Sequence, residues 1–130
     1  LEGEPTVALA VGVNHSCAVD RAGTARCWGA NGSGQLGDGT RGGERRLPVA
    51  VQADAPFASV APGAVHSCGI TRAGAVLCWG RNDDGQLGTG DRTARERATL
   101  VQLPGSVRPR RLAAGPSHTC VLGEDGSVWC

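Results

Sequence analysis

Short apolar segments alternate with glycine-rich polar segments along the whole chain. The first apolar segments lie at 9–11, 16–20 and 24–29, and similar segments return further along the chain. Glycine interrupts the chain at short intervals, and no stretch keeps the 3.6-residue period of an amphipathic helix. The pattern therefore favours short β-strands joined by turns over helices.

The apolar segments belong to a repeat of about 51 residues. A histidine followed by Ser or Thr and then Cys begins each copy, at His15, His66 and His118, with spacings of 51 and 52 residues. A longer segment, Trp-Gly-x-Asn-x-x-Gly-Gln-Leu-Gly, occurs at 28–37 and again at 79–88. A fixed period of this size indicates a solenoid, a propeller or an array.

Each full copy holds four candidate strands, the last of them at 46–52 and 98–103. Four short strands per repeat are typical of one blade of a β-propeller, so the predicted fold class is all-β, with blades of four short antiparallel strands.

The predicted repeats are 1–56, 57–108 and a partial third at 109–130, together one repeat domain. About two and a half blades cannot close a ring, and their terminal sheets would leave open edges and an exposed core face. We therefore expect either part of a longer protein or a subunit whose blades a neighbouring chain completes.

Composition excludes several classes of protein. Thirteen basic and twelve acidic residues give a formal charge of +1, which lacks the basic signature of a nucleic-acid binder. No apolar stretch approaches the roughly 18 residues of a membrane span. Hydrophobic residues make up 40% of the chain, which argues against disorder. The 21 glycines fall mostly at fixed steps of the repeat, so they indicate turns and not low complexity.

The six cysteines form three candidate pairs. A three-residue hairpin loop with Gly23 at the step that needs positive φ places Cys17 directly opposite Cys27, in a non-hydrogen-bonded pair. Equivalent counting pairs the others: Cys68 with Cys78, and Cys120 with Cys130. Disulfides are the favoured interpretation, while zinc ligation through His-x-Cys and free buried thiols remain alternatives. Disulfides would imply an oxidising compartment, so the expected location is secreted or cell-surface, extracellular or periplasmic.

The repeat resembles that of the regulator-of-chromosome-condensation family. The resemblance covers nearly the whole chain, and its Trp-Gly-x-Asn-x-x-Gly-Gln-Leu-Gly segment is highly specific. It implies four-stranded blades around an axis, seven in the typical propeller, and contact with other proteins as the members' shared activity. The paired cysteines are more similar to secreted bacterial members than to nuclear or cytosolic ones.

The recurring polar and aromatic residues are interpreted as structural. One histidine per repeat suggests a bond to neighbouring backbone that joins adjacent blades, since a catalytic residue is needed once per site. Leu36 and Leu87 are expected to fill the core. The Gly-x-x-Gly steps lack the lysine of a phosphate loop. The set with a repeat-structural role is His15, His66, His118, Trp28, Trp79, Gln35 and Gln86. No catalytic residue, metal or cofactor is predicted.

Two sequons, at Asn14 and Asn31, are possible glycosylation sites. Asn31 also lies in the repeat motif, where asparagine suits turn geometry.

Two variable polar segments, 40–46 and 91–97, are the candidates for binding. They are either solvated loops or a contact surface for an acidic partner or a neighbouring subunit. The candidate interaction residues are Arg41, Arg45, Arg46, Arg92, Arg95 and Arg97.

The favoured hypothesis is a non-enzymatic extracellular protein-binding module made of propeller repeats. The first alternative is a structural subunit of an extracellular fibre or array, in which a neighbour's residues 2–8 complete the last blade by adding a strand. The weakest alternative is an accessory region of a larger enzyme.

Overall fold

The structure is a computed structural model that describes residues 4–130 of the chain, and it contains three antiparallel sheets. The first sheet consists of β1 (Thr6–Val11), β2 (His15–Asp20), β3 (Ala25–Ala30) and β4 (Glu44–Ala50). The second consists of β5 (Phe57–Pro62), β6 (His66–Thr71), β7 (Val76–Gly80) and β8 (Arg95–Leu100). The third consists of β9 (Pro109–Ala114), β10 (Thr119–Gly123) and β11 (Val128–Trp129).

The strands follow one another in the first and second sheets, and neighbours along the chain are neighbours in the sheet. Each of these sheets is a four-stranded meander, which confirms the all-β prediction of propeller blades. The third sheet has the order β11-β10-β9 and lacks a fourth strand within the described residues. No helix long and apolar enough to cross a membrane occurs in residues 4–130.

The central hairpin of each blade has the register expected from its turn. Gly23 has a φ of +88°, and the amide of Asp20 donates to the carbonyl of Thr24 over 3.1 Å. This loop places Cys17 opposite Cys27, with Cα atoms 4.1 Å apart. The short Cα separation belongs to the non-hydrogen-bonded type of antiparallel pair, where side chains come closest.

The outermost strands differ from their predicted positions. β4 spans Glu44–Ala50, two residues earlier than the predicted 46–52, and β8 begins three residues before the predicted 98. Both strands lie at a sheet edge, where one side faces solvent. Polar residues such as Glu44 therefore enter the strand without a desolvation penalty, and the apolar pattern alone misplaces its start.

The hydrophobic core lies between sheets. Residues of the first blade, among them Val19 and Leu36, pack against Phe57 and Trp79 of the second, whose rings are 5.7 Å apart. A second cluster joins Ile70 and other residues of the second blade to the third. Leu36 and Leu87 are both buried, as expected. Stacking successive sheets therefore provides the burial that a single blade lacks.

The outer side of the first sheet has no covering layer among the described residues. Val7, Leu9 and Val11 alternate along β1 and are 58%, 66% and 73% exposed. Trp28 lies on the same side, because Ser16 pairs with both Val11 and Trp28. This is the exposed core face that the repeat count predicts.

Candidate functional site

A chain of hydrogen bonds joins the first blade to the second. The hydroxyl of Ser67 donates to the carbonyl of Gln35 over 2.9 Å, so its oxygen accepts from Nε2 of His15 over 2.7 Å. The indole N–H of Trp79 donates to the same carbonyl over 2.9 Å. The bond from His15 to Ser67 assigns the ring proton of His15 to Nε2. His15 thus joins adjacent blades through a side-chain hydroxyl of the next blade.

The second junction repeats the histidine bond. Nε2 of His66 lies 2.8 Å from the hydroxyl of Thr119, which also lies 3.7 Å from Sγ of Cys68. His118 holds the equivalent position in the third blade and is exposed. The repeat therefore uses one histidine for each blade-to-blade contact.

Burial changes the protonation of both joined histidines. It lowers the pKa of His15 to about 4, and that of His66 to about 4, and the nearby ring of the next histidine lowers each further. Nδ1 of each ring is buried without a hydrogen-bond partner in the described part of the chain. Both rings are consequently neutral at pH 7, and each bonds to the next blade in its neutral form.

An asparagine organises the loop that follows the third strand of each full blade. Asn31 is fully buried, its Nδ2 donates to the carbonyl of Thr40 over 3.2 Å, and its Oδ1 accepts from the amide of Leu36 over 3.2 Å. Asn82 makes the equivalent bond to the amide of Leu87 over 3.1 Å. Glycosylation of Asn31 is incompatible with this burial, whereas Asn14 is exposed.

Two loops, 31–43 and 81–94, lie at the same end of neighbouring blades, and we call these loops, together with the first three residues of the strand that follows each (44–46 and 95–97), the loop face. The loops connect β3 to β4 and β7 to β8. The amide of Gly39 in the first loop donates to the carbonyl of Glu96, at the start of β8, over 2.9 Å. Arg41 reaches the same residue with an ion pair of 3.2 Å. The first loop therefore rests on the second blade, and the two loops present one surface.

Most of the candidate interaction arginines pair within the chain. Arg46 remains 90% exposed beside Glu44, and no carboxylate lies within 4.0 Å of Arg92 anywhere in the described chain. Arg95 contacts Asp91 over 2.7 Å, and this bond lowers the pKa of the Asp91 carboxyl. The observed pairs are Arg41–Glu96, Arg45–Asp38, Arg46–Glu44, Arg95–Asp91 and Arg97–Asp54. An acidic partner would meet a charge-balanced surface in which Arg46 and Arg92 are the most available cations.

Every cysteine in the structure is in a disulfide, at the three pairings predicted from the hairpin register: Cys17–Cys27, Cys68–Cys78 and Cys120–Cys130. The zinc and free-thiol alternatives are therefore wrong for this structure. Within residues 4–130, no group of three metal-ligating side chains is placed to hold an ion.

We expect removal of one disulfide to lower the free energy of unfolding by about 2–3 kcal/mol, because each closes a short loop. The test replaces Cys68 and Cys78 together with alanine and measures urea unfolding. The matched control replaces Cys120 and Cys130, which close a loop with the same separation of 10 but lie closer to solvent. A loss below about 0.5 kcal/mol in the first variant would contradict this expectation.

Sequence reasoning missed the hydroxyl and amide partners of the repeat. Ser67 and Thr119 form hydrogen bonds with the histidines, and Asn82 closes its loop. A signal was present, because Ser or Thr follows the histidine in every copy and an asparagine follows each Trp-Gly. The bonded residue lies about one repeat further along the chain, so its identity depends on how the blades stack.

Comparison with known proteins agrees with this architecture. Two family models, both described as regulator of chromosome condensation (RCC1) repeat, match residues 23–70 and 73–122, and residues 7–35 and 57–86. Human "Probable E3 ubiquitin-protein ligase HERC4" is 37% identical over 125 residues, which is 95% of this chain and 12% of HERC4. The chain therefore spans about an eighth of that relative's length.

Solved structures show the same fold. The crystal structure of human WBSCR16 matches with a TM-score of 0.88 at 22% identity, over 98% of this chain and 33% of the other. Yeast RCC1 (Prp20), in a crystal structure with Kap60 bound, matches with a TM-score of 0.77 at 23% identity, over 92% of this chain and 30% of the other.

Proposed function

Because this chain belongs to the regulator of chromosome condensation (RCC1) repeat family, we propose that it is a non-catalytic protein-binding module that contacts its partner through the loop face. The observation that carries the proposal is the division of each repeat into two parts. Buried residues such as Asn31 and Asn82 hold the two loops in the same way, while the exposed segments 40–46 and 91–97 differ in sequence. A constant scaffold with variable loops suits selective recognition.

Protein binding also agrees with the relatives. The yeast RCC1 structure has Kap60 bound to it. HERC4 is named as a probable ubiquitin-protein ligase, so an accessory role in a larger enzyme remains the alternative for the parent protein. In this chain the recurring histidines bond to hydroxyl groups of the next blade, which is a structural use of these residues.

Site-specific photo-cross-linking tests the loop face. A photoreactive residue replaces Arg46 or Arg92, both exposed, and the control places it at Ala73, exposed at a hairpin tip on the opposite end of the blade. We expect a discrete heteromeric product, identified by mass spectrometry in extract of the source cells, from the loop positions alone. Equal cross-linking from Ala73 would contradict a partner surface at the loop face.

We further propose a secreted or cell-surface location, extracellular or periplasmic. The three disulfides support it, because such bonds persist in oxidising compartments and are rare in the cytosol. Alkylation of the protein taken directly from its source is the test. Six cysteines protected from alkylation until reduction are expected, and free thiols in the untreated protein would contradict the location.

A second candidate function, a subunit of an extracellular fibre or array, is favoured by the uncovered side of the first sheet. Its exposed stripe of Val7, Leu9 and Val11 lies on β1. The equivalent strand of the second blade, β5, contacts β1 and β2 of the first blade. Strand donation by residues 2–8 is less direct, since residues 2 and 3 lie outside the described part and Thr6 already pairs in β1. Sedimentation would show long polymers if this function holds, and a concentration-independent monomer would exclude it.

A further inference from the structure

A polar cleft of about 210 Å³ lies between the two loops of the loop face. This volume is below the range of about 300–1,000 Å³ that is usual for small-molecule sites, so the cleft has the size for a single side chain of a partner. Both loops that enclose it belong to the described part of the chain. Its walls are formed by Gly32, Ser33, Arg41, Arg81, Asp83 and Ala94.

The charged residues of the cleft are not the ones that define the repeat. Ala30 holds the step of Arg81 in the first copy, and Gly32 holds the step of Asp83. The asparagine between these two steps is the same in both copies and is buried in both. The cleft is therefore made of variable residues that the constant part of the repeat holds in place.

Both arginines of the cleft contact a carboxylate through Nε. Nε of Arg41 lies 3.2 Å from Oε1 of Glu96, and Nε of Arg81 donates to Oδ2 of Asp83 over 2.8 Å. The two arginine side chains are 46% and 48% exposed. A guanidinium carries further N–H groups on its terminal nitrogens, in a fixed fork geometry. Those groups form no hydrogen bond to residues 4–130, so they are available to an acceptor on a partner.

The free polar groups of the cleft are hydrogen-bond donors. The amide of Ser33 is fixed by a bond of 2.8 Å to Oε1 of Gln35, and its hydroxyl adds a donor at the same wall. A carboxylate accepts hydrogen bonds only, and its two oxygens match the fork of a guanidinium. Because Glu96 and Asp83 already balance the charge of the two arginines, a singly charged carboxylate is favoured over a phosphate dianion.

We propose that this cleft binds the side-chain carboxylate of an aspartate or glutamate residue of the protein partner. The terminal N–H groups of Arg41 and Arg81 would donate to its two oxygens, and the hydroxyl of Ser33 would donate to one of them. The inference rests on the proposed function, because it names the partner chemistry that the loop face recognises. Binding of a small carboxylate to the cleft is measured without the partner, so the two proposals can fail separately.

The first experiment titrates the 130-residue chain with N-acetyl-glutamate α-amide, followed by NMR at constant ionic strength. We expect saturable binding with a dissociation constant on the order of 10 mM, the affinity reasonable for about two charge-assisted hydrogen bonds. Shifts should concentrate at the amides of Gly32 and Ser33. N-acetyl-glutamine α-amide, which has the same shape without the charge, should bind at least tenfold more weakly. Equal affinity for the two probes, no saturation, or tighter binding of inorganic phosphate would overturn the proposal.

Three variants locate the site by opposite effects. Arg81→Gln should weaken binding of the glutamate probe at least fivefold, whereas Arg92→Gln removes the same charge from the same loop outside the lining and should bind it normally. Asp83→Asn removes a competing carboxylate and should strengthen binding by about two- to fivefold, a gain that misfolding does not produce. Equal effects of the two arginine variants, or weaker binding to Asp83→Asn, would overturn the assignment.

A carboxylate supplied by the chain itself should occupy the cleft. A Cβ added to Gly32 would meet no atom within 4 Å, and an aspartate stands at the equivalent step of the second copy, so a side chain is compatible with this turn. Gly32→Glu should block the glutamate probe. The matched variant Gly32→Gln has the same length without the charge and should bind the probe at least fivefold more tightly than Gly32→Glu. Undiminished binding to Gly32→Glu would overturn the site.

Photo-cross-linking from the loop face tests the proposed function independently of the cleft. A cross-linked partner without probe binding overturns the carboxylate site and leaves the loop face as the partner surface. Probe binding without a cross-linked partner supports the carboxylate site and overturns the loop face. Where both succeed, Arg81→Gln should weaken the partner's affinity at least fivefold, and unchanged affinity would overturn the inference.

Discussion

Replacing Trp79 with alanine is expected to lower the free energy of unfolding by about 3–5 kcal/mol, the range for loss of a large buried aromatic side chain. Trp79 is fully buried between the first two blades, and it bonds the Gln35 carbonyl and packs on Gly37. Its removal leaves a cavity at the junction and weakens the contact between the two blades. Urea unfolding, followed by circular dichroism, measures the change.

Two controls separate junction packing from loss of any tryptophan. Trp129→Ala removes a side chain that is 41% exposed and should cost about 1 kcal/mol or less. Trp79→Phe keeps much of the ring but loses the bond to Gln35, so an intermediate loss is expected and the variant still folds. If Trp79→Ala and Trp129→Ala are equally destabilising, Trp79 does not hold the blades together.

Acid is expected to destabilise the chain between about pH 6.5 and pH 4 through His15 and His66. Each pKa is near 4 in the folded chain and near 6.5 in the unfolded chain, so the unfolded state binds more protons as the pH falls. The stabilising contribution of the two neutral histidines is therefore fully present above pH 6.5 and decreases as the pH falls toward 4. At pH 5 the loss is about 2 kcal/mol per histidine, or on the order of 4 kcal/mol for both.

Urea unfolding at pH 7.5, 6.5, 5.5 and 5.0 gives the slope of the free energy of unfolding against pH. His66→Gln removes one of the two titrating rings and should roughly halve the dependence of the free energy of unfolding on pH. The carboxylates whose pKa is lowered, such as Asp20 and Asp91, lose their contribution only at lower pH, so they do not obscure this window. An unchanged slope in His66→Gln would refute the neutral-histidine junction.

The hairpins were the part of the fold most accessible from sequence. The turn at Gly23 and a count of residues place Cys17 opposite Cys27, and three copies of the pattern reinforce one another. The burial of Leu36 follows from its place in a repeated motif. Local geometry determines both features, so they require no knowledge of how the blades stack.

Contacts between blades were harder to predict from the sequence. The hydroxyl of Ser67 lies 52 residues from His15, and the sequence identifies both as recurring without showing that they bond. The loop arginines illustrate the same limit, because Arg41 pairs with Glu96 of the next blade. Such partners depend on the stacking of sheets, and they convert an apparently basic loop into a nearly balanced surface.

The same stacking explains how the module carries function. Histidine bonds, disulfides and buried asparagines use the residues that recur, which leaves the exposed parts of the loops free to vary. Exposed ion pairs such as Arg46–Glu44 contribute little to stability. Loop residues can therefore change for the sake of a partner with little effect on the scaffold.

The affinity of the cross-linked partner for a double variant, Arg46→Glu with Arg92→Glu, tests the central claim most directly. The matched control is Arg21→Glu with Arg72→Glu, the same charge change at exposed hairpin tips on the opposite end. A partner bound at the loop face should bind the first variant at least tenfold more weakly, with the free energy of unfolding within about 0.5 kcal/mol of the original chain. Undiminished affinity of the loop-face variant, or an equal loss in the hairpin-tip variant, would contradict binding at this surface.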